Sequence, residues 1–248
     1  MFSQVAIDFD TPIPVEYTRK KWFIRVKGIT RWFVKKPKFV FLGKPLSPRS
    51  IVLSNHEGAS VPLSLELYSN LPIRFWGTHE MNEDMKAAYG YQTNIYYHKK
   101  KCWNLWLARV FCLLATPLTK MFYNGLDLIS TYPDIRLKNT LSRSIAALRK
   151  GHTVVIFPED SDNGYLREMT KFHQGALMLM NYCQRQQMDL PVYVAYFKKD
   201  TKEYVVDAPI QISELLGQGF SREELAERLC RRCNELGKMD LSQVQQGA

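Results

Sequence analysis

An α/β fold with a mostly parallel central sheet flanked by helices is what this chain of 248 residues predicts, on three observations. Short apolar runs rich in β-branched residues, at 51–54, 153–157 and 191–197, read as buried strands. They alternate with longer stretches of helical periodicity, the pattern that helices packed on a parallel sheet produce. No linker-like stretch divides the chain, and 46% hydrophobic content suffices for one well-buried domain over 1–248.

In order, a basic helix is expected near 16–36, a strand at 51–54, a helix over 60–69 and a strand at 72–77. A mostly helical stretch follows over 81–123, then a strand near 126–130 and a helix at 138–149 that Gly151 ends. The strand at 153–157 should reach the same sheet edge as the strand at 51–54. A helix near 172–187, strands at 191–197 and 203–206, and a last helix from Ser221 complete the order. Ser221 and Glu224 have the spacing of a capping box, in which each side chain satisfies a backbone N–H at the other position.

Charge is unevenly spread. Ten cations lie from Arg19 to Lys44, with no acidic residue between Glu16 and Glu57; they match the whole net charge of +10. Trp22, Val26, Ile29 and Phe33 recur there at helical spacing, with Phe23 and Trp32 beside them. A helix over 16–40 carrying Lys20, Lys21 and Arg25 beside Trp22, Phe23, Trp32 and Phe33 suits an anionic bilayer surface. Its rings would settle at headgroup depth while its cations meet lipid phosphates. A helix packed on the domain with a solvated charged face is the equal alternative. No groove-reading motif accompanies the basic segment, so nucleic acid is not expected as a partner.

The apolar stretch 103–118 is short for a span, carries Asn104 and Arg109, and ends around Pro117. It is expected to be a core helix, with an interfacial helix beside an acyl channel as the alternative. Residues 1–10 contain two acids and no basic n-region, so a cytoplasmic protein, peripheral on a membrane, is expected. Five cysteines are scattered, and Cys230-x-x-Cys233 has no second pair, so free thiols are expected and zinc is not.

Four short segments carry the chemistry: Asn55-His56, Phe157-Pro158-Glu159, Phe172-His173-Gln174-Gly175-Ala176 and Leu190–Ala195. In this order they resemble the glycerolipid and lysophospholipid acyltransferase superfamily, of the 1-acylglycerol-3-phosphate acyltransferase-like kind, over residues 49–212. The resemblance implies NHx4D, a second motif around an Arg, and an FPEGTR-like third motif. Val61 stands at the Asp position; the third motif reads Phe157-Pro158-Glu159-Asp160-Ser161-Asp162, with Asp162 where the Arg belongs; and near 126–131 no Arg occurs before Arg136.

Moving an acyl group from a thioester to an alcohol or amine needs a base near the nucleophile and donors for the developing oxyanion. His56 is the candidate base. Its ring works best when a carboxylate holds the second nitrogen, and Glu57, Asp160 and Asp162 are candidates, the Asp pair favoured. Glu159 is expected to orient the acceptor or support the loop. Asn55, Glu57, Asp160, Ser161 and Asp162 are the candidate substrate-binding residues. His79 also satisfies Hx4D with Asp84, but it follows a different strand and lacks a preceding Asn; it is expected to start a helix or touch substrate. His98, His152 and His173 are expected to be surface or loop residues.

Two functions follow as expectations. One is a peripheral membrane acyltransferase taking a fatty acyl group from acyl-CoA or acyl carrier protein, with no other cofactor. The other is a noncatalytic lipid-binding relative of the same fold. Carboxylates clustered at 159–162 would repel a phosphate dianion, so a neutral or cationic acceptor headgroup is expected unless Arg74, Arg136 or Arg167 folds back or a bound divalent cation inverts the local field.

Overall fold

Four fully buried residues, Ile51–Ser54, form the strand around which the sheet is built. The computed structural model describes residues 19–58, 60–161, 164 and 166–241. Within them the helices are α1 (Lys21–Phe33), α2 (Ser60–Tyr68), α3 (Met85–Gly90), α4 (Leu105–Leu126), α5 (Leu137–Arg149), α6 (Gly175–Arg185), α7 (Ile212–Leu216) and α8 (Arg222–Lys238). The strands are β1 (Lys38–Phe41), β2 (Ile51–Ser54), β3 (Ile73–Thr78), β4 (Ile129–Thr131), β5 (Thr153–Ile156), β6 (Pro191–Lys198), β7 (Glu203–Val206) and β8 (Ile210–Gln211). A 3₁₀ turn, His79–Met81, follows β3, and α3 runs on into a widely wound π-helical segment, Tyr91–Lys100.

The sheet order is β1-β7-β6-β2-β5-β3-β4, with β8 on β6. The pairs β2–β5, β2–β6, β3–β5, β3–β4 and β1–β7 are parallel, and β6 pairs antiparallel with β7 and β8. The fold is α/β with a mostly parallel mixed sheet, as the sequence predicts. Strand alternation splits the core into two layers. Ile51, Leu53, Val154 and Ile156 point to one face, packed with Leu177, Met180, Leu229 and Cys233. Val52, Val155, Phe75 and Tyr193 point to the other, packed with Phe23, Val61 and Leu65.

The predicted capping box forms in full at Ser221 and Glu224. Strand β1 lies within the basic stretch and has no counterpart in the sequence reading: its burial is only partial, so its residues carry no strong apolar signal. His152 is 4% exposed rather than a surface residue, with its Nδ1 3.3 Å from the Ala147 carbonyl at the end of α5. The stretch read as a core helix is α4, and that reading is overturned. One side packs on the domain, while Trp106, Leu107, Leu113, Leu114 and Leu118 are exposed.

Within the basic helix one residue is corrected. Phe23 is fully buried, so it serves the core and not a membrane. A Cβ on Gly125 would lie 2.0 Å from its ring, and Phe122 meets it edge-on at 5.1 Å; only a glycine lets α1 seat this closely on α4. Trp22, Trp32, Phe33, Lys20, Lys21 and Arg25 face outward. Ahead of α1, the Arg19 guanidinium donates to both Glu66 carboxylate oxygens, at 3.1 and 2.8 Å, and to the Ile73 carbonyl at 2.9 Å. It also bonds the Leu126 carbonyl, and Lys27 adds a 2.8 Å bond to Glu66. The carboxylate of Glu66 is fully enclosed, so removing it would leave two cations facing a buried void.

Glu66→Ala is therefore expected to destabilise the fold by about 3–5 kcal/mol, the usual cost of breaking a buried ion pair from one side. A urea titration checks this, and an unchanged midpoint would show that α1 is not anchored through Glu66. Deleting residues 1–40 would remove Arg19, Phe23 and most of β1, so point substitutions are the informative changes to α1.

Candidate active site

Parallel strands β2 and β5 lie side by side, with Leu53 opposite Ile156, so the loops leaving their C-terminal ends meet. Open α/β sheets hold ligands at such edges, where the connections from neighbouring strands part. Asn55-His56-Glu57 leaves β2, and Phe157-Pro158-Glu159 leaves β5. They are joined directly: the His56 backbone N–H donates to Glu159 Oε1 at 3.0 Å. The His56 ring sits edge-on to Phe157 at 4.6 Å, and Phe157 stacks on Phe75 at 6.3 Å.

Each loop is braced from outside. Asn55 accepts the Phe197 N–H at 2.8 Å and donates to the Phe197 carbonyl at 3.2 Å, as a paired strand residue would. With 3% exposure and both amide atoms spent on β6, Asn55 positions His56 and is not a substrate contact. On the other side, residues 158–160 run antiparallel to 171–173. The Asp160 N–H donates to Lys171 O at 2.9 Å, the His173 N–H donates to Pro158 O at 2.6 Å, and Glu159 bridges Phe172. The Phe172-to-Ala176 segment therefore holds the Glu159 loop while leading into α6.

Of the other candidates, Glu57 turns away to pair with Lys199 at 3.1 Å. Ser161 Oγ accepts from Lys100 Nζ at 2.5 Å. Asp162 lies outside the described residues. Val61 is fully buried in the apolar layer, packed with Val52, Leu65 and Phe75, and brings no carboxylate to His56. His79 begins the 3₁₀ turn and faces Glu80 and Glu83, while Asp84 caps α3 by accepting the Ala87 N–H at 2.8 Å. The Hx4D spacing at His79 thus marks two separate local roles.

The electrostatics differ from the sequence expectation. Burial lowers the His56 imidazole to about 4, with Lys100 and Lys101 pushing the same way. Burial raises the Glu159 carboxyl to about 8; the His56 N–H opposes the shift, and Glu57 adds to it. Between these values both groups are uncharged. Glu159 therefore brings no anion to the loop at neutral pH, and an ammonium stands beside Ser161, so the expected repulsion of phosphate is left to Asp160 and to Asp162, which lies outside the described residues. Arg74, Arg136 and Arg167 pair with Asp127, Asp134 and Asp200, and do not fold back to this loop. Lys100 escaped the sequence reading because it lies 59 residues before Glu159. The Lys99-Lys100-Lys101 run was its only signal.

Compared with protein-family models and with curated proteins, the chain matches none.

Two predictions test this geometry. Between its ordinary value of 4.5 and about 8, folded Glu159 keeps a proton that the unfolded chain releases, so its contribution to stability falls as pH rises across that window. Glu159→Gln should lose less stability than the wild type between about pH 5 and 8, read from urea midpoints; parallel curves would overturn the assignment. Val61→Asp should cost about 3 kcal/mol or more, because it buries a carboxylate among apolar side chains. A variant as stable as the wild type would show that this position reaches solvent or a partner.

Proposed function

We propose that the chain is a peripheral membrane acyltransferase of the glycerolipid type, cytoplasmic, with His56 as general base. It would move a fatty acyl group from acyl-CoA or acyl carrier protein to a lipid-related hydroxyl or amine. The observation that carries this reading is the junction of the Asn55-His56 and Phe157-Pro158-Glu159 loops at the C-terminal edge of two adjacent parallel strands. Residues 103 positions apart, in two segments that resemble motifs of one family, meet through one hydrogen bond.

The chemistry follows from the charge states. An imidazole lowered to about 4 is neutral throughout the physiological range, ready to accept a proton. The acceptor O–H or N–H gives its proton to His56 as its oxygen or nitrogen attacks the thioester carbonyl. The tetrahedral intermediate then expels the thiolate, which takes the proton back from the imidazolium. A pKa near 4 makes a weak base, so proton transfer must accompany attack rather than precede it. Glu159 acts as a positioning residue, holding the His56 backbone, and Asn55 does the same from β6.

A second reading, a noncatalytic lipid-binding relative, is favoured by one observation: Val61 is sealed in the core where the resemblance implies the carboxylate partner. Thioester consumption separates the two. The acceptor panel should include lysophosphatidate, an amine-bearing lysolipid and an uncharged monoacylglycerol. His56→Ala is expected to lower the rate by about 10²–10⁴, with its circular dichroism unchanged. Full activity in the folded variant would remove His56 from the mechanism, and a wild type inert with every donor and acceptor would favour the binding protein.

A further inference from the structure

The outer side of α4 has no role in the site described above. Trp106, Leu107, Val110, Leu113, Leu114 and Leu118 are between 47% and 79% exposed and form one continuous apolar face. Folded proteins rarely leave a contiguous face of this kind open to water without a partner. The opposite side is fastened along the domain at four-residue intervals by Ala108, Cys112, Thr116 and Lys120, all buried. Thr116 Oγ1 donates to Gln92 Oε1 at 2.8 Å, and Lys120 Nζ donates to the Met81 carbonyl at 2.7 Å.

This fastening decides the orientation. Among the described residues α4 is the one helix long and apolar enough to cross a membrane, at 22 residues or about 33 Å. A helix held along its length on a folded domain cannot also be surrounded by hydrocarbon, so it lies flat. Charge then selects the surface on which it lies. No acidic residue occurs between Asp84 and Asp127, while Lys86, Lys99, Lys100, Lys101 and Arg109 fall in that interval besides the buried Lys120. Trp103 and Trp106 stand at the helix start, as rings do at headgroup depth. At its other end α4 meets α1, whose Trp32 and Phe33 are 89% and 83% exposed within the other acid-free basic stretch.

We infer that the outer face of α4 is an in-plane docking surface for an anionic bilayer, with α1 as its basic flank. This deepens the lipid-directed reading above by naming the element that enters the membrane. Its test uses no acyl transfer, so failure of one reading leaves the other standing.

The experiment is co-sedimentation of the full chain with phosphatidylcholine vesicles, with and without phosphatidylglycerol. The wild type should bind the anionic vesicles, less so as salt screens the cations. Leu114→Glu/Leu118→Glu should weaken binding about tenfold or more, since two apolar anchors become anions. Trp32→Glu/Phe33→Glu should weaken it less. Brominated acyl chains should quench wild-type fluorescence more than that of Trp106→Phe, a comparison that survives if the Glu variant fails to fold. Wild-type binding by the folded Glu variant, quenching unaffected by Trp106→Phe, or no binding to anionic vesicles would each overturn the inference. So would a wild type that dimerises without lipid through this face, separated by the same Glu pair.

Discussion

Parallel pairing of β2 with β5 on one side and β6 on the other is the constraint from which the rest of this molecule follows. Every residue of β2 is buried, so its register is set by apolar side chains on both faces, and a slip of one residue would reverse them all. With Leu53 fixed opposite Ile156 and Val194, the chain must leave the sheet beside both neighbours at once. His56 then has Glu159 on one flank and Asn55 tied to Phe197 on the other. The precision of the site comes from the sheet. The segments that meet are braced, Asn55 by β6 and residues 158–160 by 171–173, which keeps conformational entropy low where reacting groups would have to meet.

The same enclosure sets the charges. Burial drives an imidazole down and a carboxyl up, so a His and a Glu that would form an ion pair on a surface sit here as two neutral groups. The carboxyl meets the backbone of His56 and not an ionised partner, and hydrogen bonding of that kind depends on position more than on charge. The neighbouring Lys100 and Lys101 add positive potential to a place that reads as acidic in sequence. One-dimensional charge counting misjudged Glu159, because burial decides whether an acid ionises and chain neighbours do not reveal burial.

Much of the framework was legible beforehand. The buried strands β2, β5 and β6, the helices α2 and α5, and the Ser221 cap all carry strong local signals: β-branched runs, helical periodicity, and paired capping side chains. The meeting of His56 and Glu159 was legible for the same reason, since parallel strands deliver their ends to one edge. Beyond His152 and Lys100, three further features were not. An apolar helix looks alike in sequence whether it faces a core or open space, so α4 was misread. An aromatic in a basic helix is assigned by the helix's average, so the burial of Phe23 against Gly125 was missed. Strand β1 depends on its partner β7, and its partial burial leaves little trace in four residues.

The anchor formed by Arg19, Lys27 and Glu66 has a consequence for how the chain would respond to lipid. Because Arg19, just ahead of α1, and Lys27 within it are bonded to α2, to β3 and to the end of α4, the outward rings of α1 keep their placement on the domain only while it is folded. The bilayer surface proposed above would recognise that spacing and not a loose peptide, so it would act thermodynamically as a ligand of the native state. Membrane area then takes the place of ligand concentration in the binding equilibrium, and the fold gains stability with the logarithm of available lipid. A chain released from such a surface would be the more fragile form.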